Sequence, residues 1–513
     1  MTDNNLYQVF ESEDTEEYEH YAALDIGSNS FHLVVARVVQ GALQVVNKIK
    51  HKVRLAEGLD NNQYLSPEYI DRGVQTLASM TPTLSGLHHT KVRVVATHTL
   101  RRAQNAKAFQ RAAKKVFPYP IDIIAGAEEA RLIYVGISSG LQVLQPRLIF
   151  DIGGGSTEFA IGTSFTPDIC KSISMGCVTY QKRFFKSGII TQKACEQAIT
   201  MARQDLELAV RSLNKHSWEV IFASSGTAKA IAQVIHPSDT GEPEEAVNQH
   251  DLQLLLARCI EKGHAEALDF EGLSEERKPV FASGLCIMLA IFQSLRIGEY
   301  KYAANALREG VLYELQPKQT TQNICLSTAQ SMAKRYHVDP QYAHNVLQTC
   351  MALYNKVKDV WEIDSANNRF ILGWASLLHE VGLHINSKGI HKHSSYILAN
   401  SDMPGFHQEQ QQVIATLVKF HRKRIKLKEF PEFVNYDRLR LYKLLAILRI
   451  ALVFNINRTE SIVTGNILAR DDQNIELIIE NSLLEQHPLL MVDLEKEQSY
   501  LVDINIDLDI TVQ

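Results

Sequence analysis

The stretch Arg147–Ile161, RLIFDIGGGSTEFAI, places an aspartate and three glycines between two short apolar runs. The runs are rich in Ile, Leu and Phe and predict two buried strands. Glycines permit the close backbone approach that a phosphate cradled by amide N–H groups requires. The predicted phosphate-binding residues are Gly153, Gly154, Gly155, Ser156 and Thr157. Asp151 and Glu158 add the hard oxygen ligands that Mg²⁺ prefers, so the stretch predicts a phosphate- and magnesium-binding hairpin.

A second stretch, Tyr21–Val39, repeats the same order of parts: YAALDIGSNSFHLVVARVV. Its aspartate, Asp25, stands 126 residues before Asp151, and small residues again separate two apolar runs. The predicted phosphate-binding residues here are Gly27, Ser28 and Asn29. Two such copies predict two similar half-domains that face each other across a cleft. The alternative is that both stretches are ordinary tight turns that carry acids.

The composition describes a soluble globular protein of several domains. The chain has 513 residues, of which 45% are hydrophobic and 22% charged, and this length predicts two to four domains. No apolar run reaches membrane-span length, and the nearest, Lys443–Ile456, is interrupted by Arg449. Seven cysteines without CxxC spacing favour reduced thiols in the cytosol. The net charge of −5 excludes global attraction of a polyanion.

Three further segments contain candidate site residues. Arg101 follows the start of a predicted helix over 98–116, where a cation opposes the helix dipole, so it is either an anion clamp or part of a structural ion pair. Glu129 lies in the first turn of another predicted helix, just after a strand, and either stabilises that helix or takes part in chemistry at the strand end. The turn Ser225, Gly226, Thr227 is a third anion site or a packing turn.

Cations and histidines stand out in two other segments. Lys48, Lys50, Lys52 and Arg54 occupy alternate positions, which predicts a strand with a cationic face or a lysine-protected edge strand. Six cations and no acid fall between 419 and 428. Such a run is either a solvated face or a guide for a long polyanion. The predicted guide residues are Lys419, Arg422, Lys423 and Arg424. The sequence HEVGLH at His379 lacks HExxH spacing, which favours buried, hydrogen-bonded histidines over a zinc site.

Seven motifs in this order resemble the exopolyphosphatase and guanosine pentaphosphate phosphohydrolase family: DIGSNSFHLVVARV, THTLR, GAEEARLIY, DIGGGSTEF, SMGCVTY, ASSGT and ALREG. The resemblance implies an α/β fold of tandem ribonuclease H-like domains of the actin, Hsp70 and sugar kinase superfamily. An all-α HD-like domain and a small β-rich C-terminal unit follow. We expect an acidic tail at 1–20, half-domains at 21–134 and 135–316, the helical domain at 317–465 and a last unit at 466–513.

The resemblance also assigns roles. It implies that Asp25, Asp151 and Glu158 surround a catalytic Mg²⁺, that Glu129 is the general base and that Arg101 lies near the phosphates. It further implies activation by K⁺, a homodimer in the cytoplasm and no nucleic-acid partner; peripheral association with a membrane stays open. His379-Glu380 replaces the His-Asp pair of metal-bearing HD enzymes, which argues against a second metal site.

Three functions follow from these residues. The first is an exopolyphosphatase that processively releases orthophosphate from inorganic polyphosphate, and the second is a 5′-phosphohydrolase of guanosine pentaphosphate (pppGpp). GGGST, His98 and HKHSSYIL favour the polyphosphatase branch. A kinase or Hsp70-like module shares the two loops, but the sequence shows no adenosine motif. We therefore expect an exopolyphosphatase, with pppGpp hydrolysis as the alternative.

Overall fold

The computed structural model describes residues 19–39, 42–139, 145–238, 243, 245–316, 321–401, 403, 406, 408–458 and 466–513. The chain divides into two compact units, 1–121 with 129–319, and 122–128 with 320–513. Most of the expected acidic tail, residues 317–320 at the start of the expected helical domain and residues 459–465 at its end lie outside the described residues.

The first half-domain is built on a mixed five-stranded sheet. Its strands are β1 His20–Ile26, β2 Ser30–Val39, β3 Ala42–Lys52, β4 Val92–Ala96 and β5 Ile121–Ile123. The helices are α1 Pro67–Met80, α2 His98–Arg102, α3 Ala106–Ala113 and α4 Gly126–Ser139. The strand order is β3-β2-β1-β4-β5, with β1 antiparallel to β2 and parallel to β4. Apolar β1 is buried at the centre because sheet neighbours flank it on both edges.

The second half repeats this arrangement. Its strands are β6 Arg147–Ile152, β7 Thr157–Gly162, β8 Ile169–Ile173, β9 Val220–Ser224, β10 Val247–Asn248 and β11 Glu299–Tyr302. Its helices are α5 Cys177–Phe184, α6 Gln192–Leu213, α7 Ser225–Ile235, α8 Gln249–Lys262, α9 Lys278–Leu295 and α10 Leu307–Glu314. The order β8-β7-β6-β9-β11 matches the first sheet, and β10 adds an antiparallel edge. The expected tandem arrangement is confirmed.

Two helices of unit 1, α4 and α10, approach each other so closely that only glycine fits at the contact. A Cβ on Gly136 of α4 would lie 2.0 Å from the Ala306 carbonyl oxygen, and one on Gly310 of α10 would lie 1.9 Å from the Leu132 carbonyl oxygen. Such distances are well inside van der Waals contact, so the backbones themselves pack here. The contact joins α4, which carries Glu129, to α10, which carries Arg308.

Unit 2 is helical up to Phe454 and ends in a three-stranded sheet. The helices are α11 Thr321–Arg335, α12 Pro340–Val357, α13 Ala366–Leu378, α14 Ile390–Asn400, α15 Gln408–Phe420 and α16 Arg438–Phe454. The last elements are β12 Asn466–Ala469, β13 Asn474–Ile479, α17 Asn481–Gln486, α18 Leu489–Leu501 and β14 Asp507–Val512, with sheet order β12-β13-β14. Aspartate side chains cap two of the helices: Asp339 accepts from the Gln341 N–H and Asp437 from the Arg440 N–H.

Two expectations were wrong. The helix predicted over 98–116 is broken at Ala103, so Arg101 lies in the last turn of α2, where a cation suits the helix dipole. The segment LLMVDLE, predicted as a strand in a β-rich unit, belongs to α18. The buried positions of α18 are Leu490, Leu494 and Leu501, and this spacing follows a helical face rather than an alternating strand.

One helix in the described part of the chain, α9, is apolar and long enough to cross a membrane by length and composition. No apolar run of that length was expected, and Lys443–Ile456 was expected to come nearest to it. Of the α9 window, 72% is buried, and its side chains belong to the hydrophobic core of the second half-domain. Since core helices pass the same test, this is weak evidence for a membrane span.

The helical assignment of α18 predicts unequal effects of truncating two of its leucines. Leu494 is fully buried, whereas Leu489 is 74% exposed. We expect Leu494→Ala to lower the free energy of unfolding of unit 2 by about 2–5 kcal/mol because it leaves a cavity. The control, Leu489→Ala, should change it by no more than about 0.5 kcal/mol. Urea unfolding followed by circular dichroism measures both, and equal effects would contradict the helical face.

Candidate active site

The two aspartate-bearing stretches form hairpins of the same geometry. In the first, β1 and β2 are joined by a turn in which the Gly27 N–H donates to the Ser30 carbonyl at 3.2 Å. In the second, β6 and β7 are joined by a turn in which the Gly153 N–H donates to the Ser156 carbonyl at 2.9 Å. Corresponding residues again stand 126 positions apart, so the repeat seen in the sequence is a repeat of structure.

Each loop has its carbonyl groups bonded by protein N–H groups. The Ser28 and Asn29 carbonyls accept from the segment after β3, at 2.8 to 3.0 Å, and the Gly153 and Gly154 carbonyls accept from the start of α5, at 2.9 to 3.2 Å. Among the described residues, the N–H groups of Ser28, Asn29, Gly154 and Gly155 form no hydrogen bond. Backbone N–H groups left in this way at a cavity are suited to an anion.

A cavity of about 500 Å³ in unit 1 brings most of the predicted site residues together. Those that line it are Asp25, Gly27, Ser28, Asn29, Glu129, Asp151, Gly153, Gly154, Gly155, Ser156, Ser225 and Gly226. Four others of unit 1 do not line it: Arg101, Thr157, Glu158 and Thr227. The cavity is therefore formed by both hairpin loops, the start of α4 and the start of α7.

Four carboxylates lie near one another at this cavity: Asp25, Glu129 and Asp151 line it, and Glu158 lies behind them in β7. Burial, then the Glu129 charge, raises the pKa of Asp25 to about 7. Burial raises the pKa of Asp151 to about 6, although a hydrogen bond from the Ser224 hydroxyl opposes the rise. The pKa of Glu158 is raised by burial and by the Glu129 charge. Like charges in a low-dielectric site favour protonation, so a cationic ligand would be attracted here.

Glu129 and Arg101 form an ion pair that faces the carboxylate cluster. Arg101 Nη1 lies 2.9 Å from Glu129 Oε2, and both side chains are largely buried. Burial raises the pKa of Glu129, and the Arg101 guanidinium opposes this rise. Arg101 contacts Glu129 rather than the cavity itself, so the geometry makes it the residue that orients this carboxylate. Glu158 is likewise held from behind by the Ser172 hydroxyl, at 2.8 Å.

Several cationic side chains line the same cavity, and sequence reasoning assigned none of them to the site: Lys50, Lys52, Arg54, Lys182, Arg277 and Arg308. The alternating cations of β3 were a signal, because alternate residues of a strand share a face. Arg308 lies in the ALREG motif and contacts His32, with 3.1 Å between Arg308 Nη1 and the ring Nδ1. Burial, then Arg308, lowers the pKa of His32 to about 3, so its ring is neutral. No pattern in the sequence pointed to Arg277.

Two glycines in the cavity wall leave space that larger side chains occupy. A Cβ on Gly155 would lie 2.2 Å from His98 Nδ1, and one on Gly226 would lie 1.7 Å from Arg277 Nη2. Gly226 therefore lets the Arg277 guanidinium approach the start of α7, and Gly155 lets His98 pack under the second loop. Both glycines were predicted as phosphate-binding, and both also serve this packing.

The acids fit a divalent cation only in part. Asp25 Oδ1 is buried and has no hydrogen-bond partner, and Asp151 lies close enough for its charge to act on Asp25. Within the described ranges, no group of three or more His, Cys, Asp or Glu side chains is arranged to hold a metal. Mg²⁺ commonly binds through one or two carboxylates with phosphate oxygens and water completing its shell, and Asp25 and Asp151 match that pattern.

The predicted polyphosphate guide residues lie in unit 2 and differ in their partners. Lys419 Nζ lies 3.0 Å from Glu429, and Arg424 Nε lies 3.3 Å from Asp503. Arg422 and Lys423 form no ion pair with a described residue. The guide role stays a prediction.

Two loops with unbonded N–H groups, buried carboxylates and several cations at one cavity are typical of an α/β protein that acts on phosphoryl groups. The Ppx/GppA phosphatase family model matches residues 34–319, and the model of its domain III matches 324–498. The chain therefore belongs to the Ppx/GppA phosphatase family, hydrolases that act on phosphoanhydride bonds.

Relatives and solved structures agree with this assignment. The guanosine-5'-triphosphate,3'-diphosphate pyrophosphatase of Pseudoalteromonas translucida is 36% identical over 477 residues, 93% of this chain and 95% of that protein. The protein of the same name from Pseudoalteromonas atlantica is 34% identical over 480 residues, 94% and 95% of the two chains.

The Aquifex aeolicus PPX-GPPA enzyme is 22% identical with a TM-score of 0.51, over 58% of this chain and 99% of that one. An exopolyphosphatase from Cytophaga hutchinsonii is 21% identical with a TM-score of 0.54, over 59% and 99%. The two structures show the fold alone.

The raised pKa of Asp25 predicts that the ligand-free protein becomes less stable as the pH rises. An unfolded chain releases this proton near pH 4, whereas the folded protein holds it to about 7, so stability is lost across this interval. Asp25→Asn removes the charge, and we expect it to stabilise the protein at pH 8 by at least about 1 kcal/mol, with a smaller gain at pH 5.

Thermal unfolding of both proteins at the two pH values measures this difference. The control is Asp71→Asn, which removes an exposed acid of α1 and should leave the pH dependence as in the native protein. An Asp25→Asn gain that is equal at pH 5 and pH 8 would show that charge is not the cause.

Proposed function

We propose that this protein is a pppGpp 5′-phosphohydrolase that removes the terminal phosphate of the triphosphate. The observation that carries this proposal is that two relatives, 36% and 34% identical over almost the whole chain, are named for guanosine-5'-triphosphate,3'-diphosphate. Those names support the alternative of the sequence analysis more strongly than its first choice. Exopolyphosphatase activity has support at the level of the family and its fold.

The chemistry is hydrolysis of a phosphoanhydride. A water oxygen bonds to the terminal phosphorus, the bond from that phosphorus to the bridging oxygen breaks, and the nucleotide leaves with the bridging electron pair. Glu129 accepts the proton of the attacking water, and Arg101 fixes the direction of its carboxylate through the 2.9 Å ion pair. A base buried beside the loops, with a raised pKa, is suited to this transfer.

The remaining groups bind and neutralise the phosphates. The unbonded N–H groups of the two loops are the donors proposed for the terminal phosphoryl oxygens, and the rim cations Lys50, Arg277 and Arg308 compensate the charge of the leaving group. Mg²⁺, proposed here as the cofactor with Asp25 and Asp151 as its protein ligands, would supply further charge neutralisation when bound. K⁺ activation, a homodimer, an HD-like identity of the helical region and a cytoplasmic location also remain proposals.

The proposed base gives a direct prediction. Glu129→Gln keeps the shape of the side chain and removes the proton acceptor, so we expect kcat for pppGpp to fall by at least about 10²-fold. KM should change little, because the loops and cations that bind substrate are kept. Steady-state release of orthophosphate measures both constants.

Glu68→Gln, which removes an exposed acid of α1, is the matched control and should retain the native kcat. Native kcat in Glu129→Gln would exclude Glu129 as the base.

One observation favours polyphosphate as a second substrate. The cations of β3 continue past the cavity, since Lys48 lies on the same strand face as Lys50 and Lys52 but does not line the cavity. A row of this kind offers charge beyond the length of a triphosphate.

A side-by-side assay decides between the two substrates. We expect kcat/KM to be higher for pppGpp than for long-chain polyphosphate, with Mg²⁺ present and at equal ionic strength, and both above the value for ATP. Orthophosphate release from polyphosphate alone would restore the exopolyphosphatase assignment, and release from neither would remove both.

A further inference from the structure

A second cavity, in unit 2, shares no lining residue with the cavity of the candidate active site. Its volume is about 490 Å³, within the range of small-molecule sites. Its walls come from the start of α12, the residues that follow α13 and α15, the second half of α16, and α18. The guide cations Arg422 and Lys423 are part of its lining, whereas Lys419 and Arg424 are not.

The acids of this cavity do not neutralise those two cations. Each acid in the lining is already paired with another cation of the lining: Glu380 with Arg458, Asp493 with Lys496 and Glu497 with Arg449. Arg422 and Lys423 are exposed and have no ion-pair partner among the described residues. The cavity therefore carries two positive charges in excess, and one of them is a guanidinium, whose planar donors match a phosphate in pairs.

The interior of the cavity carries a hydrogen-bond acceptor. His379 directly follows α13, is 2% exposed, and its Nδ1 lies 2.7 Å from the Ser376 carbonyl. A carbonyl only accepts, so Nδ1 carries the ring hydrogen and Nε2 presents a lone pair. Burial lowers the pKa of His379 to about 4, which keeps this ring neutral. Its Nε2 is buried and has no hydrogen-bond partner.

His421 repeats this arrangement at the end of α15. Its Nδ1 lies 2.6 Å from the Val418 carbonyl, three residues earlier, as His379 lies from Ser376. The two rings are 5.5 Å apart and nearly perpendicular, and both line the cavity. Burial and the neighbouring His379 lower the pKa of His421 well below its usual value. Two neutral imidazoles held by their Nδ1 hydrogens make the interior an acceptor surface, unlike the cationic rim.

We propose that this cavity binds a small phosphate ester whose organic part carries an N–H or O–H donor, the class of nucleotides and sugar phosphates. Arg422 and Lys423 hold the phosphate, and His379 Nε2 accepts the hydrogen bond from the organic part. An unsatisfied buried acceptor is costly in a folded protein, and a ligand donor removes that cost. Arg458 lies 4.3 Å over the Tyr342 ring, and both residues are part of the cavity wall. This site is independent of the proposed reaction.

The test is equilibrium binding of GMP, ribose 5-phosphate and sulfate to the full-length protein by titration calorimetry. GMP has no phosphoanhydride bond, and sulfate matches a phosphate in shape but has no donor. We expect both esters to bind more tightly than sulfate. A tighter GMP complex identifies a nucleotide ligand, and equal affinities identify a sugar phosphate.

Two matched double variants locate the binding. Arg422→Ala/Lys423→Ala should weaken ester binding by at least about 10-fold, because charge-assisted hydrogen bonds are lost. Lys426→Ala/Lys428→Ala removes two exposed cations from the same segment outside the cavity and should bind as the native chain does. Equal affinity in all three proteins would place the ester elsewhere and overturn the proposal, as would the absence of ester binding to the native chain.

His379→Phe separates the acceptor from the anion site. We expect it to weaken GMP binding roughly 2- to 10-fold, the value of one hydrogen bond, and to leave sulfate binding unchanged. Sulfate binding as tight as that of the esters would overturn the role of the acceptor. Should this variant fail to fold, the exposed pair Arg422 and Lys423 still decides the question.

Discussion

Unit 1 holds four buried carboxylates, those of Asp25, Glu129, Asp151 and Glu158, close together. Such a cluster is unfavourable by itself, since burial raises the pKa of each member and repulsion by neighbouring acids adds to the rise for Asp25, Asp151 and Glu158. The fold tolerates it because the aspartates stand at the ends of two central strands, where backbone hydrogen bonds leave them little freedom. Arg101 and the hydroxyls of Ser172 and Ser224 offset part of the repulsion. What remains is an attraction for cations at this end of the two sheets.

The close contact of α4 and α10 explains how the Glu129 carboxylate and the Arg308 guanidinium come to line the same cavity. Glu129 lies in the first turn of α4 and Arg308 in the first turn of α10. Because Gly136 and Gly310 let the backbones touch, the starts of the two helices are fixed relative to each other without an intervening side chain. Arg308 is thereby held where its charge opposes the rise in the pKa of Asp25. A larger residue at either glycine would alter this distance directly.

Much of unit 1 could be predicted from the sequence because its chemistry repeats. Asp25 and Asp151 share flanking strands and small residues, and the structure brings both, with Glu129, to one cavity. Arg277 could not be predicted, because it reaches the site from a turn before α9 and depends on the space at Gly226. The strand predicted at LLMVDLE failed because a short apolar run fits both periods, and only packing in unit 2 decides between them. Four guide cations close together in sequence were grouped as one surface, but Lys419 in the last turn of α15 pairs with Glu429, Arg424 pairs with Asp503, and only Arg422 and Lys423 line the second cavity.

The equivalence of the halves extends beyond the hairpins and accounts for three of the four unbonded N–H groups, those of Asn29, Gly154 and Gly155. In each half the segment after the third strand folds back on the hairpin loop: Val53, Arg54 and Ala56 follow β3, and Cys177, Val178 and Thr179 follow β8. Their N–H groups bond the loop carbonyls. A peptide unit whose carbonyl is held on one side presents its N–H on the other, since the two lie on opposite edges of a planar trans unit. Donors for an anion thus arise from backbone geometry in both halves. The side chains of the loops can therefore differ, Ser-Asn in one and Gly-Gly in the other, while both loops keep their donors.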